Sequence, residues 1–171
     1  MRRKRDEKNL KMKVEDYWRL AASVAVCLAV GFAGGFFTAS EIPTWYALLA
    51  KPSFSPPNWL FAPVWTVLYV MMGTAFFLFW RNAKKTENAN FKVGVVLFAA
   101  QLFLNFSWSL VFFGMHSLGG AFIVILLLWL FILANLVWFW RVSRAASVLL
   151  VPYIAWVSFA SFLNYAVWTL N

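Results

Sequence analysis

The chain has 171 residues, of which 63% are hydrophobic and only 12% charged, against roughly 45–50% and 25% in soluble globular chains. A formal charge of +9 comes from 15 Lys and Arg against 6 Asp and Glu, but long stretches carry no charge, so no basic groove for nucleic acid can be built from them. Disorder, a disulfide scaffold and a nucleic-acid module are excluded, and an integral membrane protein with a mean hydropathy of +0.73 remains.

In chain order, residues 1–17 read as a basic cytoplasmic tail, and residues 18–171 as an all-α membrane domain of five transmembrane helices. A helix needs about 20 apolar residues to cross a bilayer, and such runs fall near 18–39, 58–80, 91–114, 118–140 and 146–169. The runs are continuously apolar, unlike the alternating segments of a transmembrane barrel. The first is longer than a signal-peptide core, which predicts an uncleaved helix although Ala39-Ser40 offers small residues for cleavage. It holds Gly31 and Gly35 at a spacing that permits close helix approach, inside the bundle or at a dimer seam. Cys27, the single cysteine, reads as a small buried hydrophobe.

Next comes the one long connection on the outer side, residues 40–57, with Pro43, Pro52, Pro56 and Pro57. Proline fixes φ and removes donors, so this stretch is expected to be extended and stiff rather than helical. It carries Trp45, Tyr46 and Phe54, which are costly to leave in water, so it should fold back over the mouth of the bundle. Lys51 is its cation.

In the second span, Trp65 and Tyr69 share a face by i,i+4 spacing. The third holds Gln101, Asn105, Ser107, Trp108 and Ser109, and the short turn after it holds His116, read as a solvated turn residue rather than a ligand. The fourth holds Asn135. In the fifth, Trp156, Ala160 and Leu163 lie on one face, near Ser158, Ser161 and Asn164. Each amide or hydroxyl has the ordinary explanation of an interhelical hydrogen bond, about 0.6 kcal/mol on average. Taken together, Trp65, Asn105, Trp108 and Trp156 reach similar depth from three helices, which points to an aromatic pocket beneath the loop.

Fourteen of the fifteen Lys and Arg lie in the tail, around Arg81, Lys84, Lys85 and Lys92, or at Arg141 and Arg144; Lys51 lies opposite. The positive-inside rule then puts the N-terminus in the cytoplasm. No span interior holds Asp, Glu, Lys, Arg or His, which argues against a proton-coupled pump and against ordinary acid–base catalysis. No metal or resident cofactor is expected.

The segment WYALLAKPSFSPPNWLFAPVWTVLY, residues 45–69, resembles the signature of the translocator protein family (TspO, the peripheral benzodiazepine receptor or tryptophan-rich sensory protein). The similarity continues through Asn105 and Trp108 and through Pro152, Tyr153, Trp156, Phe159, Ala160, Leu163, Asn164 and Trp168. The resemblance implies a five-helix bundle, often a homodimer, in a membrane that for bacterial members is the cytoplasmic one. It also implies that porphyrins and similar flat hydrophobic ligands bind beneath the first loop. It would place Trp45, Tyr46, Pro56, Trp65, Asn105, Trp108, Trp156, Ala160 and Leu163 around the ligand. Two alternatives come with it: light- and oxygen-dependent porphyrin degradation involving Trp65 and Trp156, and sterol, lipid or porphyrin transport. The vertebrate sterol motif is incomplete here, because Leu163 and Tyr165 are followed by no Lys or Arg before Asn171.

Overall fold

The structure, a computed structural model, describes residues 14–83 and 91–171; residues 1–13 of the expected tail, and Lys84 and Lys85, lie outside the described residues. Among the described residues there are helices and no strands. Five are long and apolar enough to cross a membrane: α1 (Val14–Glu41), α2 (Phe61–Ala83, entered by a 3₁₀ turn over Asn58–Leu60), α3 (Phe91–Ser109), α4 (Leu118–Trp140) and α5 (Val151–Leu170).

Two boundaries differ from the expectation. Residues 14–17, assigned to the tail, form the first turn of α1. Arg19 explains this: its guanidinium lies 3.3 Å from Glu15 and 3.7 Å from Asp16, pairs at i,i+4 and i,i+3 that carry the helix past its apolar run. The loop is not wholly extended either. Trp45–Leu48 form one helical turn, because Pro43 precedes it and Pro52, Pro56 and Pro57 all fall after it, leaving W-Y-A-L free of breakers.

The spans close into a ring in the order α1, α2, α5, α4, α3. In its basic half the interior is filled with rings: Phe79 stacks on Phe139 at 4.3 Å, and Phe76 on Phe98 at 4.6 Å. Above this plug a buried amide layer joins three helices. Asn135 Nδ2 donates to Gln101 Oε1 at 3.1 Å and to Leu97 O at 3.1 Å, and Gln101 Nε2 donates to Met72 Sδ at 3.4 Å. These are the interhelical bonds the spans' amides suggest.

The outside is apolar. Phe32, Phe103, Ile123 and Phe162 are each more than 60% exposed, a surface suited to lipid and a liability in water. Trp18, Trp59, Trp140 and Trp168 stand exposed near helix ends, where an aromatic belt would meet the headgroups. Arg141 and Arg144 lie over Trp138 and Trp140, so the cations of the basic end rest on the same belt.

Candidate functional site: an aromatic cavity beneath the loop

The half of the ring away from the basic end is hollow. A cavity of about 510 Å³ lies between α1, α2, α3 and α5, within the 300–1,000 Å³ typical of small-molecule sites. Tyr46, Trp65, Asn105, Trp108, Trp156, Ala160 and Leu163 all line it. Four come from helix faces that the i,i+3/i+4 rule singles out, Asn105 with Trp108 and Trp156 with Ala160. Phe112 on the α3 side and Val167 on α5 also line it. They sit one turn beyond the expected residues, and extending the same spacing finds them.

Trp45, Pro56 and Lys51 do not reach the wall. Adjacent residues on a helix point about a quarter-turn apart, so Trp45 and Tyr46 cannot both face inward. Tyr46 takes the cavity, where burial pushes its hydroxyl above the ordinary phenol value against a smaller opposing hydrogen bond with Ser55. Trp45 turns aside and stacks on His116 at 4.1 Å between ring centroids. Lys51 sits above Tyr46, its Nζ 4.5 Å from that ring and donating to Leu49 O at 3.3 Å.

The floor is polar and internally satisfied. The Tyr69 hydroxyl donates to Asn105 Oδ1, and Asn105 Nδ2 donates to the Tyr153 hydroxyl at 3.0 Å. Trp108 Nε1 donates to Asn164 Oδ1 at 3.0 Å, and Asn164 Nδ2 to Leu118 O at 3.0 Å, which ties α3, α5 and α4 together behind the cavity. Trp156 Nε1 is buried without a partner. Its ring packs edge-on to Phe61 at 6.0 Å and on Phe159 at 5.5 Å, closing the wall between α2 and α5. No Asp, Glu, Lys, Arg or His lines the cavity, and among the described residues no His, Cys, Asp and Glu cluster could hold a metal. The walls offer stacking, apolar contact, a few amides and the hydroxyl-bearing rings of Tyr46 and Tyr69.

The loop over the cavity is held at several points. His116 Nε2 lies 2.9 Å from Glu41 Oε2, so this histidine is a half-exposed tie between the α3–α4 turn and the end of α1, not a free turn residue. Its positive φ of 51° is a conformation histidine tolerates better than bulkier side chains. Trp45 meets Phe112 edge-on at 5.7 Å. A widened turn over Leu110–Gly114, with Met115 N donating to Leu110 O at 2.9 Å, buries both Phe112 and Phe113 beneath it. On the far side, Ala50 N donates to Asn171 Oδ1 at 3.0 Å while Asn171 Nδ2 donates back to Ala50 O at 3.1 Å. These ties join residues 75 and 121 positions apart, and no local pattern announces them.

Residues 23–169 match the model of the TspO/MBR family. The chain is 52% identical to the tryptophan-rich protein TspO of Chlorobaculum tepidum, over 89% of this chain and 95% of that one. It is 39% identical to the human translocator protein, over 90% and 91%. It is 35% identical to the tryptophan-rich sensory protein of Cereibacter sphaeroides, over 86% and 88%.

Proposed function

Because the chain belongs to the TspO/MBR family, we propose that it is a membrane receptor or sensor holding a flat tetrapyrrole such as protoporphyrin in the cavity beneath its loop. The observation that carries this reading is the lining: the rings of Trp65, Trp108 and Trp156 around about 510 Å³ that contain no charged side chain. A porphyrin burying about 400 Å² of apolar surface gains about 10 kcal/mol at 25 cal/mol per Å². After the costs of immobilisation, about micromolar affinity, near −8 kcal/mol, is the scale to expect. On this reading the basic end faces the cytoplasm of a bacterial cell, and the loop and cavity face outward. The residues that line the cavity all come from one chain.

The test is a protoporphyrin titration followed by quenching of the remaining tryptophans. Replacing Trp65 and Trp156 together by Ala should weaken binding at least about tenfold, the loss of roughly 1.4 kcal/mol of stacking and burial. An unchanged curve in a folded double variant removes the pocket as the binding site.

A second reading is favoured by the position of Trp65 and Trp156 on the same cavity: light-driven porphyrin breakdown with dioxygen as oxidant. Illuminating the bound complex separates the two. A receptor leaves the porphyrin spectrum intact, whereas an enzyme gives a new absorbing product that is lost in Trp65→Phe.

A further inference from the structure

We infer that ligand reaches the cavity sideways from the membrane, through a gap between α1 and α2 in the loop-side half of the bundle, rather than past the loop. This rests on the binding reading above and adds to it the route and the ligand class.

The other approaches are closed, the seam between α1 and α3 by Gly34, where a Cβ would lie 3.0 Å from Ser109 Oγ, and by Phe37 edge-on to Phe106 at 6.0 Å. The floor is the Tyr69–Asn105–Tyr153 network, and below it lie the amide layer of Gln101 and Asn135 and the Phe79–Phe139 stack. The wall made by α3 and α5 is buried, with Asn105 3%, Phe112 3% and Leu163 6% exposed. Between α2 and α5 a lipid-facing groove lined by Val64, Val67 and Pro152 comes up to the back of Trp156, whose packing on Phe61 and Phe159 separates it from the cavity. The roof is fastened at Glu41–His116, Trp45–Phe112 and Ala50–Asn171. Opening it means breaking several contacts on three different elements at once.

The side between α1 and α2 is different. In the basic half the two helices are pressed together, since a Cβ on Gly73 would lie 2.5 Å from the Val24 Cα. At Gly31 the Tyr69 ring still fills the crossing, but one turn further, at Gly35, a Cβ would meet nothing within 4 Å. Here the cavity-lining residues are also exposed on the bundle surface: Phe32, Gly35 and Ala39 from α1, Ala62 and Thr66 from α2. A residue that borders the cavity and the outside at once marks an opening.

The chemistry of the rim matches lipid. Thr38 and Thr66 turn their hydroxyls back onto Gly34 O at 3.1 Å and Ala62 O at 2.8 Å, so the rim presents methyls, small residues and one ring, with the Asn58 amide at its loop end. Passage through it desolvates no unsatisfied protein group, whereas a charged solute would lose its hydration there at large cost. The gap therefore selects molecules with a flat apolar ring already dissolved in the bilayer, the propionates of a porphyrin staying at the headgroup level, and rejects anions confined to water.

The route is tested with the full chain in lipid nanodiscs, protoporphyrin IX preloaded in the bilayer, and tryptophan quenching followed by stopped flow. Ala39→Phe and Thr66→Phe narrow the gap without touching the loop; His116→Ala and Asn171→Ala loosen the loop without touching the gap. A lateral route slows association in the rim variants by about tenfold, whatever these cavity-lining changes do to affinity at equilibrium. The loop variants then keep wild-type rates. Faster entry in the loop variants with unaltered rates in the rim variants overturns the inference. A nitroxide on Gly35→Cys gives a readout independent of any ligand, because Cys27 is fully buried and stays unlabelled. Frequent collision with dioxygen and rare collision with a water-soluble nickel chelate support a lipid-facing gap. Frequent nickel contact, or contact with neither, overturns it. If protoporphyrin gives no quenching even at equilibrium, the binding reading fails, and the nitroxide result still decides the gap.

Discussion

Asn105 shows how much one side chain holds at the cavity floor. It accepts from the Tyr69 hydroxyl and donates to that of Tyr153, and all three residues are buried. Asn105→Leu keeps the branched shape and removes both bonds, leaving the Tyr69 hydroxyl with no acceptor in an apolar surrounding. In water-soluble proteins an orphaned buried donor costs about 1–3 kcal/mol. In membrane proteins the unfolded reference also finds partners, and measured interhelical bonds reach only about 1.7 kcal/mol. The smaller scale governs here, so a loss of about 1 kcal/mol is expected in a denaturation series in mixed micelles. Tyr69 also packs against Gly31 and tilts toward Trp65 at 5.8 Å, so freeing its ring should loosen the Trp65 wall and weaken protoporphyrin binding with it. A variant with wild-type stability would show that water or another group replaces Asn105.

At the scale of helices, the contact between α1 and α2 is decided by Gly73, against the α1 backbone, and by Gly31, against the Tyr69 ring, and not by Gly35, the other half of the pair that stands out in the sequence. A methyl on Gly73 would lie 2.5–2.9 Å from backbone atoms of Val24 and Ser23, which cannot move aside cheaply, whereas one on Gly35 would meet open space. Gly73→Ala should therefore lose about 1–3 kcal/mol through overpacking, more than the roughly 1 kcal/mol that Ala gains over Gly in a helix interior. Gly35→Ala should be neutral or slightly stabilising, and the two are compared in the same denaturation assay. Equal effects would mean that the helices do not meet at Gly73. This contrast marks what can be read from a sequence. Five helices were legible because each apolar run matches the bilayer, and the cavity face was legible because Asn105, Trp108, Trp156 and Ala160 recur at helical spacing. Gly73 gives no signal because its role depends on what crosses it. The turn Trp45–Leu48 is too short to show a period, and the His116–Glu41 tie exists only after the chain has brought distant residues together.

For the whole molecule, the question is which leaflet the cavity sits in, because a lateral gap draws on that leaflet alone. The two ends of the bundle are electrostatically unlike. Among the described residues Arg19, Arg81, Lys92, Arg141 and Arg144 gather at the end with the phenylalanine plug, and Lys51 is the cation at the loop end. Insertion retains Lys and Arg on the cytoplasmic side, and the bias counts most in short loops and near span ends, which is where these residues lie. Acidic residues contribute little to that choice, so Glu15, Asp16 and Glu41 do not offset it. The loop and cavity are accordingly expected in the outer leaflet. Ala145→Cys, exposed between Arg144 and Ala146, and Ser53→Cys, exposed in the loop, report the two ends. In intact cells an impermeant maleimide should label Ser53→Cys and leave Ala145→Cys unlabelled, and in inverted vesicles the pattern should reverse. The opposite pattern would put the cavity in the cytoplasmic leaflet. The gap between α1 and α2 would then receive ligands made inside the cell, and the protein would be reading the cell's own apolar molecules rather than those arriving from outside.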